Sequence, residues 1–238
     1  MPRDRTSHWK EVATALHYAR AAVQVGLGAG ERKIIEAYFF KTGKILEVGC
    51  GAGRVARGLL QLGYPSVLAT DFSPAMVQFT REVLREANPA WTDFAQQEDA
   101  TQLSFTPNNF DGVIYAFNGL MCLPDLDHRT RALREIHRVL KPGGIFFCSA
   151  ADREQGPFAT EWSQVTPGEN EVIGDGWHET PSSPVFMHSS TEAETRAELV
   201  AAGFNIIGSP LSSEVATENQ LMKDFAGVTR FYIASKII

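Results

Sequence analysis

The sequence predicts an α/β fold with a doubly wound sheet, and three observations carry that expectation. Strand-like and helix-like segments alternate from residue 31 to the end of the chain. The stretch Lys44 to Leu60, KILEVGCGAGRVARGLL, reads as a buried strand, a turn with glycine at every second position, and an amphipathic helix. Asp71 closes the next strand about twenty residues after that turn, where a nucleoside-binding fold holds a ribose. A carboxylate suits that place because it accepts hydrogen bonds from both vicinal hydroxyls.

The first two helices come before the glycine turn. Residues 7–25 are expected to be helical, with Ser7 as N-cap and Trp9, Val12, Leu16 and Val23 at near-helical spacing. Gly26 to Gly30 breaks that helix, and residues 31–40 form a second one leading to the strand Ile45 to Val48. Gly49, Gly51 and Gly53 follow, each removing a Cβ that would hold a ligand off the backbone. The next helix places Val55, Leu59 and Leu60 on its inner side and Arg54, Arg57 and Gln61 on its outer side.

A short strand from Ser66 to Ala69 ends in Asp71, and Ser73 with Pro74 caps a helix running to Ala87. That helix turns Met76 or Val77, Thr80, Val83 and Leu84 inward. Trp91 to Gln97 is a weak strand ending in Glu98-Asp99-Ala100, and Phe110 to Ala116 is a fourth, exiting into Phe117-Asn118-Gly119-Leu120. Residues 127–140 form a helix with Leu133, Ile136, Val139 and Leu140 inward and Arg129, Arg131, Arg134 and Arg138 on a solvated face. Lys141 to Gly144 turns the chain into the strand Ile145 to Ser149. Residues 152–190 are irregular, with Phe158, Trp162, Trp177, His178 and His188 among glycines, prolines and serines, and read as a lid or substrate wall. Thr191 with Glu194 is a capping box, and Phe204 to Ile207 and Phe231 to Ala234 supply the last strands.

Composition narrows the function. A chain of 238 residues with 44% hydrophobic and 21% charged residues suits one soluble domain with an added lid. A net charge of -6 with no dense Lys/Arg block argues against a nucleic-acid partner. No apolar run approaches about twenty residues, and the charged N-terminus lacks an apolar core, so neither a membrane span nor a signal peptide is expected. Cys50, Cys122 and Cys148 lack C-x-x-C spacing and read as free thiols of a reducing compartment, hence a cytoplasmic protein. The six histidines show no metal-ligand spacing, and no metal is expected.

A dinucleotide fingerprint would need glycine three positions after Gly51, where Arg54 stands. The string E-V-G-C-G-A-G-R instead resembles motif I of the class I S-adenosylmethionine (SAM)-dependent methyltransferases. L-K-P-G-G before an apolar strand and Phe110-Asp111 opening the fourth strand extend the resemblance over about residues 44–150. It implies seven strands with the last antiparallel, and SAM as donor with S-adenosylhomocysteine (SAH) as product. By that resemblance Gly49, Cys50, Gly51 and Gly53 meet the methionine part of SAM, and Glu47 lies near its charged end. Asp71 would hold the ribose, Phe72 and Met76 border it, Asp99 (with Glu98 as the alternative) and Ala100 reach the adenine, and Phe117 and Asn118 stand beside the methyl. N-terminal helices would cover the site through His17 and Tyr18. The chain then divides into a helical cover (1–43), a SAM-binding core (44–151), a lid or substrate insertion (152–190) and C-terminal helix and strands (191–238).

The exit loop lacks the Asn/Asp-Pro-Pro-Tyr/Phe tetrad of enzymes that methylate DNA bases or protein glutamine. The expected reaction is therefore SN2 methyl transfer to nitrogen or oxygen of a small molecule, by a monomer or homodimer. Such an enzyme aligns donor and acceptor, excludes water and accepts a proton, for which His178, His188 and Asp152 are the candidates. A non-catalytic SAM sensor or scaffold and a protein or RNA methyltransferase are the alternatives.

Overall fold

The computed structural model describes residues 4–156, 159, 172–178 and 184–237. A 3-10 turn, Ser7–Lys10, precedes α1 (Val12–Gln24) and α2 (Ala29–Tyr38). Then β1 (Ile45–Val48), α3 (Arg54–Gln61), β2 (Val67–Asp71), α4 (Pro74–Ala87) and β3 (Ala95–Gln97) alternate. They are followed by β4 (Phe110–Tyr115), α5 (Leu126–Val139) and β5 (Leu140–Ala151). A two-stranded hairpin, β6 (Asp175–His178) with β7 (Val185–His188), stands apart from the main sheet. The chain ends with α6 (Glu192–Ala201), β8 (Phe204–Gly208), the short helices α7 (Ser212–Val215) and α8 (Gln220–Ala226), and β9 (Thr229–Lys236).

Seven strands form one sheet in the order β3-β2-β1-β4-β5-β9-β8. The first five pair in parallel, and β9 runs antiparallel to both β5 and β8. This is the expected doubly wound sheet with an antiparallel last strand. Helices cover both faces, so successive side chains enter opposite cores. Val113, Phe146 and Tyr232 pack with Leu133 and Ile136 of α5 on one face. Ile114, Phe147 and Ile233 pack with Ile35 of α2 and Leu59 of α3 on the other. The strand order reverses between β1 and β4, which opens a crevice at their C-terminal ends.

Four expectations need correction. Residues Lys141 to Gly144 do not leave the sheet as a turn; they form a bulge inside β5, where pairing slips between Phe110 with Leu140 and Gly112 with Ile145. Ser7 heads only the 3-10 turn, and α1 buries Thr14, Ala15, Ala19 and Ala22 while Val12, Leu16 and Val23 face solvent. Small residues win that face because α1 lies close on α3 and α4, against Ala52 and Val83. Arg129 is not on a solvated face but buried in an ion pair with Glu198 at 2.9 Å. Arg54, expected outward, is buried too.

Arg54 holds the cover to the core. Its guanidinium meets both carboxylate oxygens of Glu31, Nη1 to Oε2 at 2.5 Å and Nη2 to Oε1 at 2.6 Å. It also donates to the Gly26 carbonyl, while the Gly28 N–H donates to Glu31. One ion pair thus fixes the α1–α2 loop on the first turn of α3. Removing one partner of a buried pair leaves the other charge stranded, at about 3–5 kcal/mol. Arg54→Met is expected to lose stability of that order in urea unfolding, and the double change Arg54→Met/Glu31→Leu to regain much of it. Equal loss in both variants would mean the pair does not carry the contact.

Candidate functional site

The crevice at the C-terminal ends of β1, β2, β4 and β5 opens into a cavity of about 790 Å³. Pockets for small organic ligands fall in this size range. Tyr18, Glu47, Gly49, Cys50, Gly51, Asp71, Phe72, Met76, Asp99, Ala100, Phe117 and Asn118 all line it. Gly53 does not: it has φ +85°, and a Cβ there would stand 2.8 Å from Thr80 Cγ2, so its bareness serves the packing of α3 on α4. Gly49 likewise has φ +60° and would strike the Tyr115 ring. Of the three turn glycines, only Gly51 (φ +53°) has nothing within 4 Å of where its Cβ would be.

Two acids frame that bare backbone. Asp71 Oδ2 accepts from the Gly51 N–H and Oδ1 from the Ser73 N–H, both at 2.9 Å. Each oxygen keeps one acceptor site, because a carboxylate has about four. Burial pushes the Asp71 carboxyl up to about 6, against the pull of those two N–H donors. Glu47 is buried at the end of β1, and its Oε2 has no hydrogen-bond partner among the described residues. Burial pushes its carboxyl up to about 8, although Arg54 pulls the other way. Such a group is a placed acceptor that gains from a donor or a positive charge. In the loop just past β3, Asp99 Oδ1 accepts from the Thr101 N–H and hydroxyl, and Ala100 is buried beside it.

The loop after β4 carries two consecutive non-glycine residues with positive φ, Phe117 at +52° and Asn118 at +61°. They are held by β5: the Phe117 N–H donates to Ser149 Oγ, and Asn118 Oδ1 accepts from the Ala151 N–H. Such strain persists only where the surroundings over-determine it. The Phe117 ring stacks on Phe225 with centroids 4.3 Å apart and planes within 9°. The Arg54 guanidinium lies 5.7 Å from one ring and 5.8 Å from the other. Tyr18 meets both rings edge-on, and Trp9 packs against Tyr18.

The N-terminus closes over the same space. Arg5 donates to the Pro124 carbonyl at 2.6 Å and pairs with Asp175 of β6 at 2.7 Å. It also lies over the Phe186 ring of β7 at 4.1 Å. Phe225, Arg54 and Trp9 thus belong to the cavity wall although the sequence reading gave them no such place. The motif-adjacent position of Arg54 is a usable signal; nothing local distinguishes Phe225. Phe158 and Trp162 lie outside the described residues.

The three candidate bases separate. Asp152 lines the cavity but is tied to Arg230 at 2.7 Å and to the Glu154 N–H, so its oxygens are engaged. His188 is a correction: it is buried outside the cavity lining, with Nδ1 2.8 Å from Asp175 Oδ1. Burial and Arg129 hold its pKa low against that carboxylate. His178 lines the cavity, burial alone lowers its pKa, and its Nε2 is buried without a hydrogen-bond partner among the described residues.

Residues 45–144 match the family model of the methyltransferase domain, and the chain has the class I, Rossmann-like methyltransferase fold. The CcbJ methyltransferase from Streptomyces caelestis superposes with a TM-score of 0.73, at 17% identity over 99% of this chain and 100% of that one. The glycopeptide N-methyltransferase MtfA, complexed with SAH, does so at 0.63, with 19% identity over 86% and 87%. Among sequence relatives, the ubiquinone/menaquinone biosynthesis C-methyltransferase UbiE of Pseudomonas paraeruginosa is 33% identical over 42% of this chain and 39% of its own length. The demethylmenaquinone methyltransferase of Lactobacillus johnsonii is 34% identical over 55% and 54%. The chain therefore spans about half or less of these relatives. Among the described residues no helix is long and apolar enough to cross a membrane.

Glu47 sets a pH dependence of stability. Its folded pKa is raised from 4.5 to about 8, so its contribution is full below 4.5 and is lost as pH rises through 8. The ligand-free Tm is expected to fall more between pH 6 and pH 9 in the wild type than in Glu47→Gln. Equal slopes in thermal scans would mean Glu47 ionises freely in the folded protein.

Proposed function

We propose that the protein transfers the methyl group of SAM to a small-molecule acceptor. The observation that carries this is the frame of Glu47, Gly51 and Asp71 around open backbone at the C-terminal end of β1. Gly51 admits the methionine part of the donor, and the unpartnered Glu47 oxygen offers an acceptor to its ammonium. Asp71 keeps one acceptor site on each oxygen for the two ribose hydroxyls, with Phe72 and Met76 beside it. The second oxygen of Asp99 has no hydrogen bond among the described residues and suits the adenine amino group. The chain's own residues fit the donor in shape, charge and hydrogen bonding.

The bound donor supplies the methyl group, which passes to the acceptor's lone pair while the carbon–sulfur bonding pair stays on sulfur. The protein's part is to align the acceptor and keep water out. Phe117 and Asn118, fixed on β5, stand between donor and acceptor. Trp9, Tyr18, Phe117 and Phe225 form an apolar roof, and such walls with few polar groups suit a small organic molecule. The names of the quinone-methylating relatives agree with a small-molecule acceptor, as does the chain's net negative charge.

Asp71→Ala removes two ribose hydrogen bonds to a charged group, each worth about 1.5–3 kcal/mol. Its SAH affinity is expected to fall at least about 100-fold in calorimetric titration, two bonds of that size summing past 2.7 kcal/mol. Unchanged affinity would remove the ribose assignment. Gly51→Val is expected to lose SAH binding, because a side chain at Gly51 occupies the open space; the positive φ there adds backbone strain, so circular dichroism first checks that the variant is folded. A folded variant that binds SAH normally would place the donor elsewhere.

A further inference from the structure

We propose that the acceptor is an uncharged, phenol-type compound and that its hydroxyl proton passes to His178, the catalytic base. This rests on the methyl-transfer reading above.

The charge of the cavity wall disfavours anionic acceptors first. Arg153 lines the cavity but is engaged by the Glu194 carboxylate and the Ser189 carbonyl. Asp152 is neutralised by Arg230, and His128 is hydrogen-bonded to Asp125. Lys10 is exposed and lies 4.9 Å over the Phe72 ring, at the Asp71 end of the cavity. The acceptor side of the cavity thus offers no uncompensated charge among the described residues. A carboxylate or phosphate entering it would lose its hydration without gaining a partner, which is prohibitive.

Two unpaired polar atoms then define what the acceptor carries. The side chains of His178 and Trp9 line the cavity, and their Nε2 and Nε1 are buried without hydrogen-bond partners among the described residues, so each side chain turns slightly to meet a ligand. Each costs a hydrogen bond until something fills it. The indole N–H can only donate, so it calls for an oxygen acceptor on the ligand. The imidazole, kept neutral by burial with no charged neighbour contributing, can take a proton. Val185, its cross-strand partner in the hairpin, lines the same cavity, and Met187 and Leu123 add further apolar wall.

A hydroxyl needs such a group more than an amine does. A neutral amine attacks with a free lone pair, whereas a hydroxyl becomes strongly nucleophilic only as it loses its proton. In the step, the hydroxyl oxygen forms the new O–CH3 bond, the carbon–sulfur bond breaks with its electron pair going to sulfur, and the O–H proton moves to the imidazole. Release of that proton to solvent restores neutral His178. Aromatic faces at Trp9, Tyr18 and the Phe117–Phe225 stack suit a planar ring bearing the hydroxyl.

His128 is the rival base, since it also lines the cavity and has a carboxylate partner. It sits at the rim with its side chain 37% exposed, where water is not excluded.

SAH binding is measured first by calorimetry; its absence would remove the methyl-transfer reading itself. On SAH-saturated protein, histidine NMR with 2-naphthol is expected to show a saturable shift of the resonance missing in His178→Ala, and none with 2-naphthoate. A naphthoate shift as large, or no 2-naphthol shift, would overturn the acceptor class. Single-turnover transfer from SAM to 2-naphthol is expected to fall at least about 100-fold in both His178→Ala and His178→Gln, with SAH affinity unchanged. The wild-type rate should rise with pH through one ionisation that both variants lack. Activity kept in those variants, loss confined to His128→Ala, or a wild type that binds 2-naphthol without methylating it, would each overturn the proposal.

Discussion

The buried Glu31–Arg54 ion pair is the constraint on which the rest of the site depends. Arg54 is the first residue of α3 after the glycine turn, and Glu31 lies in the first turn of α2. Their contact fixes the Gly26–Gly28 loop, and through it the N-terminal helices, against the open backbone of Gly51. The same guanidinium lies beside the stacked rings of Phe117 and Phe225, so the roof of the cavity is referred to the same charge. It also faces Glu47, whose neutral form is favoured by burial and whose ionised form Arg54 supports. Turn, cover and acid are thus positioned by one cation whose charge is already balanced.

That balance has a consequence for binding. A cation spent on Glu31 is not available to a ligand anion, and the open acceptors left nearby are carboxylate oxygens. The end of the cavity between Glu47 and Asp71 therefore favours hydrogen-bond donors and positive charge. Elsewhere on the wall the charges of Asp152 and Arg153 are paired off by Arg230 and Glu194. Shape follows the same division: bare backbone and carboxylates on the sheet, aromatic rings on the cover. The N-terminal segment joins the cover to the hairpin through Arg5, which meets a carbonyl, a carboxylate and a ring at once.

Local signals made the fold readable. A strand, a glycine turn and a helix in direct succession, Ser73 with Pro74, and Thr191 with Glu194 each specify their own geometry, and the helix from Pro74 to Ala87 falls where the spacing puts it. Asp71 was readable because its distance from the turn is set by one helix and one strand. What the sequence hides is non-local. Arg54 looks solvent-facing because its partner lies 23 residues earlier. α1 inverts the simple reading of its apolar stripe because close packing selects alanine over valine and leucine. His178 and His188 look alike in sequence, and only the hairpin pairing gives Asp175 to one of them. Phe225 lies in the short helix α8, and its stacking on Phe117, 108 residues earlier, is tertiary packing that no local pattern shows.

We propose that the space over Gly51, between Glu47 and Asp71, seats the methyl donor. A crystal structure of the protein with SAH tests it most directly. The expected result is ribose hydroxyls on the Asp71 carboxylate, the amino acid end over Gly51, and the sulfur facing Phe117 and Asn118. SAH seated away from Gly51 and Asp71 would contradict it, as would a well-formed crystal soaked with SAH whose cavity stays empty.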